Sequence, residues 1–310
     1  MAKKLPIQRA SAFTLVEVLV SIAVLALLVA LIAQLFNNTT TASTVSTTHL
    51  EADARVRLLF GRMAADFSHI VKRTDVDYYL KSPTYVQTGN DQMALFSEVS
   101  GYSSVTDAQN SVSLIAYRIN NTGSAPCLER LGKALSWGGG SSSILPLPFL
   151  PRTVAVNWPA VTLSPATSAT SDPAYDQDYE TIVPNAFRFE YYYLLHSGVL
   201  SATPWDTAAG HSTINGLQDV AGIGVVIAVA DRKASALATS TQLQALSGQM
   251  ADWATTTPSG ISTPPPGTLT TIGTWQTVWQ QEVSLSTLSP AIKNGIRIYE
   301  QVFCIDTPSQ

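Results

Sequence analysis

Between Phe13 and Phe36 the chain runs FTLVEVLVSIAVLALLVALIAQLF, an apolar stretch with a single charged residue, Glu17. From Val18 to Phe36 only Ser21 and Gln34 interrupt it. At 1.5 Å per residue a helix of that length crosses a hydrocarbon layer of about 30 Å. Lys3, Lys4 and Arg9 precede the run, and after Glu17 no Asp, Glu, Lys or Arg occurs before Glu51. Such an asymmetry sets the N-terminus in the cytoplasm and the remainder across the membrane.

A secretory signal peptide would have a shorter apolar region and a small-residue cleavage site; this run instead ends in QLFNNTTTAS. A buried core helix is rarely apolar all round at this length. A plain signal anchor fits the span and leaves the acid unexplained. A carboxylate inside a membrane helix costs about 2.5–3.5 kcal/mol at the centre and less near the interface, so it calls for a partner. If the chain is cut between Ala12 and Phe13, the new amine of Phe13 lies four residues before Glu17, on the same helix face. When such helices pack side by side, the Glu17 of one meets the amine of the next, and the penalty becomes a bond that sets register.

A short basic leader, a small residue and then Phe13-Thr14-Leu15-Val16-Glu17 ahead of an apolar helix resembles the class III signal of type IV pilins and of type II secretion pseudopilins. That resemblance implies a prepilin peptidase that removes residues 1–12 and methylates the amine of Phe13. It also implies other pilin-like subunits as partners. Where the family usually has Gly before the cut, this chain has Ala12.

Beyond the span, residues 37–48 are rich in β-branched threonines, poor helix formers that mark an expected weak point in a long helix. From Leu50 on, Val56, Leu59, Met63, Phe67 and Ile70 recur at spacings of three and four, with Arg55, Arg62, Asp66 and Lys72 largely off that stripe. This predicts a helix with one face on a sheet. Residues 112–119, 186–194, 223–230 and 296–305 read as strands, being β-branched or aromatic and bounded by turn residues. Phe187, Phe189, Tyr191 and Tyr193 are expected on one face of their strand, and Arg188 and Glu190 on the other. Ile223, Val225, Ile227 and Val229 alternate with Gly224, Ala228 and Ala230, as in a central strand covered on both sides. Pro/Ser/Gly-rich tracts around residues 138–173 and 255–267 read as loops. Residues 236–253 form the one further helix candidate. The fold class expected is α+β and pilin-like: a long N-terminal helix packed on an antiparallel β-sheet domain. Its divisions are a leader over 1–12, a transmembrane helix over 13–36, a helix extension over 37–74 and an exported β-rich domain over 75–310.

A looser likeness follows. Arg55, Arg62, Asp66, Tyr117, Arg118, Leu128, Arg130, Phe187, Phe189, Tyr191, Gly198 and Trp205 occur in an order similar to the J-type minor pseudopilins and W-type minor pilins. It departs from them by its Pro/Ser loops and an insertion after Asp231. The chain also resembles the pilin-like members of the Verru_Chthon cassette.

Other chemistries find little support. His49, His69, His196 and His211 make no H-E-x-x-H, and there is no G-x-S-x-G, Walker loop or G-x-G-x-x-G. Of these, His196, Asp206 and His211 form the best catalytic fragment, and they read as a polar loop. No enzyme activity and no cofactor are expected. Asp172, Asp176, Asp178 and Glu180 offer oxygen ligands for Ca²⁺ but lack EF-hand spacing. Cys127 and Cys304, the only cysteines in 310 residues, permit one disulfide in an exported domain. A net charge of −4 without a basic patch excludes a nucleic-acid footprint. Two functions remain: a structural subunit of a pilus-like filament, or a membrane-anchored module that binds a secreted protein or surface ligand.

Overall fold

In the computed structural model the described residues are 14–71, 76–77, 90–103, 108–120, 125–134, 152–153, 178–212, 215, 217–251 and 272–305. Helix α1 spans Leu15–Ser68, and the threonine-rich stretch is helical throughout. The chain divides into two units, Met1–Leu50 and Glu51–Gln310.

In the first unit, Leu15–Phe36 is an apolar helix of 22 residues, exposed throughout. At 1.5 Å per residue it is about 33 Å long, enough for the ~30 Å core of a bilayer.

The second unit is α+β. Its strands are β1 (Val76–Asp77), β2 (Met93–Ser97), β3 (Gly101–Ser103), β4 (Ala108–Asn110), β5 (Ser113–Asn120), β6 (Cys127–Ala134), β7 (Arg152–Thr153), β8 (Tyr179–Pro184), β9 (Ala186–Leu195), β10 (Leu200–Ser201), β11 (Val220–Ala230) and β12 (Ile296–Cys304). Two four-stranded antiparallel sheets result, the first in the order β2-β5-β6-β8 and the second β10-β9-β11-β12. Among the described residues β3–β4 forms a small antiparallel pair, and β1–β7 pairs in parallel over two residues. One turn residue, Asn185 at φ 61°, carries the chain from β8 in the first sheet to β9 in the second. Asn tolerates that left-handed conformation better than most residues.

One core joins α1 to both sheets: Val56, Leu59, Phe60, Met63 and Phe67 meet Met93, Leu95, Ile115 and Tyr117 of the first and Phe189, Tyr191, Ile223, Val225 and Phe303 of the second. The stripe read from the sequence is therefore the buried face. Phe303 makes edge-to-face contacts with Phe60 and Phe67, at ring separations of 5.8 and 5.2 Å.

A second core covers the opposite face of the second sheet. Four helices fill the stretch between β11 and β12: α2 (Arg232–Leu237), α3 (Ser240–Gln249), α4 (Thr274–Leu285) and α5 (Pro290–Lys293). Leu243, Leu246, Met250, Trp275, Trp279, Val283 and Ile292 pack on Phe187, Tyr192, Val226, Ala228, Ala230, Ile296 and Ile298. Strand β11 is thus covered on both faces, as its small-and-branched alternation predicts. Three expectations are corrected here. The helix candidate over 236–253 is two helices, because Thr239 caps α3 in a reciprocal box with Gln242; its last residue, Trp253, lies outside the described residues. A further long helix, α4, lies where only loop and turn residues were expected to lead into the final strand. Phe187 belongs to the outer core, since β9 bulges between Ala186 and Arg188 where β11 steps from Ala228 to Val229. A bulge inserts one residue and reverses the alternation beyond it.

Candidate functional site

The start of α1 is built by Thr14 and Glu17. Thr14 Oγ1 accepts from the Glu17 N–H at 3.3 Å, and Glu17 Oε2 accepts from the Thr14 N–H at 3.0 Å and from its hydroxyl at 3.1 Å. This is a reciprocal capping box, which satisfies donors that the first turn of a helix otherwise leaves orphaned. The T-L-V-E spacing carries that signal in the sequence, beside the reading of the acid as an intersubunit partner. Glu17 also sits where the helix dipole favours a negative charge. Both effects lower the cost of placing a carboxylate at the end of an apolar helix. Downstream, Ser21 Oγ donates to Glu17 O at 2.7 Å and Thr39 Oγ1 to Leu35 O at 2.8 Å. These hydroxyls are thereby turned into the backbone. Ala12 and Phe13 lie outside the described residues.

In the second unit Asp66 is fully buried on the last turn of α1. Arg130 of β6 grips it with two parallel bonds, Nε to Oδ2 at 2.7 Å and a terminal nitrogen to Oδ1 at 2.8 Å. Tyr117 of β5 donates its hydroxyl to Oδ2. Tyr117 and Arg130 are direct partners across the β5–β6 ladder, so their side chains emerge on one face, aimed at the helix. Gly132, two residues along that face, leaves the space that the Arg130 guanidinium fills: a Cβ there would lie 2.7 Å from it. Burial and the neighbouring Asp66 charge push the Tyr117 hydroxyl well above its ordinary pKa, and Asp66 raises that of Arg130 against the effect of burial. Tyr117 stays a neutral donor and Arg130 a cation. The arrangement is a planar, bidentate clamp of the strong kind. A second tether runs from the Tyr299 hydroxyl of β12 to Asp53 at 2.5 Å.

Asn90 and Asp91 join the two sheets. The Asp91 N–H donates to Phe189 O, while the Phe189 and Tyr191 N–H groups donate to the side chains of Asn90 and Asp91 at 2.7 and 3.1 Å. Two short polar residues thus supply the partners that a missing strand would give β9. Nothing in a single sequence marks them, since their partners are about a hundred positions away.

Under the outer helices lies another buried polar group. Arg188 pairs with Glu190 at 3.2 Å, both fully buried, and donates to Ala251 O at 3.1 Å. Trp279 Nε1 donates to the same carbonyl at 3.0 Å, and Glu282 accepts the Ala251 N–H at 2.9 Å. Burial raises the Glu282 pKa, against the pull of the Ala251 amide and the Arg188 charge. These bonds fasten the end of the α3 segment to α4 and β9.

The remaining candidates are dispersed. Arg118 pairs with Glu129 across β5–β6 and lies over the Tyr179 ring at 3.6 Å. Arg55 is exposed and pairs with Glu51; Leu128 and Phe187, Phe189 and Tyr191 are core. Gly198 turns the chain after β9 at φ 80°, and Trp205 is half-buried. The expected bridge between Cys127 and Cys304 is not formed, since both are free thiols. Cys127 begins β6 in the first sheet, where its Sγ accepts from Thr181 and approaches Glu129; Cys304 ends β12 of the second and is exposed. Asp178 is committed to Lys133 at 2.5 Å and Glu180 is exposed, while Asp172 and Asp176 lie outside the described residues. No group of three or more His, Cys, Asp or Glu among the described residues is placed to hold a metal. His211 pairs with Asp219 at 2.8 Å, Asp206 caps a short 3₁₀ turn, and His196 is exposed.

An apolar helix long enough to cross a bilayer, opened by a cap that contains its only acid, followed by antiparallel sheets, defines a class: single-pass, helix-anchored α+β proteins. The family model for the prokaryotic N-terminal methylation motif matches residues 7–33, and the chain is a type IV pilin-like protein bearing the class III prepilin signal. That motif implies processing by a peptidase and assembly with other pilins, in a family that is structural. No curated protein matches the chain.

Proposed function

We propose that this chain is a minor subunit, pseudopilin or minor pilin, of a type IV pilus-like or type II secretion filament. A prepilin peptidase removes residues 1–12 on the cytoplasmic side, methylates the amine of Phe13, and leaves 13–36 in the inner membrane, 37–74 as the helix extension and 75–310 as the exported domain. One observation carries the reading: the methylation motif coincides with a helix that is apolar, uncovered along its whole span and acidic only in its first turn. The meeting of Asp66, Tyr117 and Arg130, all three from the J-type and W-type resemblance, supports a place among those minor subunits.

Glu17 then has two employments. In the single chain it caps its own helix; in the filament it faces the methylated amine of a neighbouring Phe13, which stays basic. Mass spectrometry of the mature N-terminus tests the first step, and a chain cut elsewhere or left uncut removes the reading. Glu17→Val tests the second: insertion and cleavage persist while crosslinking to other pilin-like proteins falls. Undiminished crosslinking at equal membrane levels assigns the acid to something other than assembly.

A further inference from the structure

From Glu51 to Ser68 the helix buries one side in the core and leaves the other bare. On the bare side Ala54, Leu58, Gly61 and Ala65 follow at spacings of four, three and four, which places them on one seam. Leu58 is 70% exposed, and a methyl group built on Gly61 would meet nothing within 4 Å. Small residues around a projecting leucine have the shape a second helix needs for close approach. Charge decides which helix. Arg57 lies on one flank of the seam, and Arg55 and Arg62, 45% and 46% exposed, lie on the other. Of the carboxylates on this stretch, Glu51 is paired with Arg55, Asp53 is bonded to Tyr299, and Asp66 is buried in its clamp.

We propose that this face docks a helix of a different pilin-like subunit, one presenting apolar side chains along its centre and Asp or Glu on both flanks. A second copy of this chain is the wrong occupant, because it would set three arginines and one glutamate against the same set. The face therefore makes the chain a heterotypic subunit, present where its acidic partner is and not repeated against itself. This rests on the subunit reading above, but fails separately from it.

The test uses the full-length chain in nanodiscs and two designed helical peptides with the same Leu/Ala seam, one flanked by Glu and one by Lys. The Glu peptide binds at least about tenfold tighter at low salt, as a few exposed ion pairs imply, and the preference shrinks as salt screens it. The triple variant Arg55→Glu, Arg57→Glu, Arg62→Glu reverses the preference, and Gly61→Trp weakens both peptides. All four positions are exposed, so unchanged thermal unfolding verifies that the variants fold. Equal binding of the two peptides, or no binding, overturns the proposal. So does a photo-crosslinker at Leu58 that yields, in the native membrane, an adduct of the chain with itself. A chain correctly processed at Phe13 that ignores the Glu peptide sinks the docking face and leaves the filament reading standing.

Discussion

Asp66 shows how much a single side chain can hold when it is buried with its partners. Asp66→Asn leaves Arg130 almost fully buried without its counter-charge, and breaking a buried pair from one side costs about 3–5 kcal/mol. Thermal or urea unfolding of the full chain in detergent is expected to show a loss of that size. The double change Asp66→Leu, Arg130→Met recovers much of it, since an apolar replacement of both partners is often neutral. Glu282 behaves oppositely. Its folded pKa is raised, so the folded chain keeps this proton to higher pH than the unfolded chain does. The stability from that proton is complete below the ordinary carboxylate range and is lost as pH rises through the raised value. Glu282→Gln keeps an oxygen for the Ala251 N–H and carries no charge, while Arg188 retains Glu190. The variant is therefore expected to be more stable than the wild type above that window and to lose the advantage below it, in thermal unfolding followed against pH.

At the scale of elements, β11 is the strand whose composition is most constrained. Gly224 faces Tyr192 across the ladder, and a Cβ there would come 2.1 Å from the ring. Gly224→Ala is expected to destabilise the chain by about 1–3 kcal/mol, as overpacking does, through displacement of Tyr192 from its stack on Trp275 and its bond to Glu300; urea unfolding reads the loss. The same strand explains what sequence can carry. Its branched-and-small alternation announced a two-faced strand because both partners enforce it locally, residue by residue. Helix α4 was hidden: TWQTVWQQEVSL opens with Thr, Trp and Val, residues of modest helix propensity. Its signal was the spacing of Trp275, Trp279 and Val283, which only packing on the outer face of the sheet makes decisive. Phe187 was assigned to the wrong face because a bulge is a tertiary choice. Of the candidate site, Glu17 was legible from its isolation in an apolar run, and Asp66 from a family likeness. Asn90 and Asp91 were not legible at all, because their role exists only where two sheets meet.

For the whole molecule, processing changes charge as well as length. Residues 1–12 contain Lys3, Lys4 and Arg9 and no acid, so cleavage takes the formal net charge from −4 to −7, and methylation leaves the amine count unaltered. Isoelectric focusing is expected to move the processed chain to a distinctly more acidic position than the precursor; co-migration would mean the leader is retained. The clamp on α1 has a mechanical side. Apolar contacts between a helix and a sheet resist separation yet allow sliding, because one set of methyl groups can replace another. A bidentate pair with bonds of 2.7 and 2.8 Å does not: a shift of one residue's rise, about 1.5 Å, breaks both at once. Where α1 lies on the sheets, the aromatic contacts of Phe303 act as a bearing and the Asp66–Arg130 pair as a rivet, so tension along the helix is passed to the first sheet as shear instead of being lost in creep.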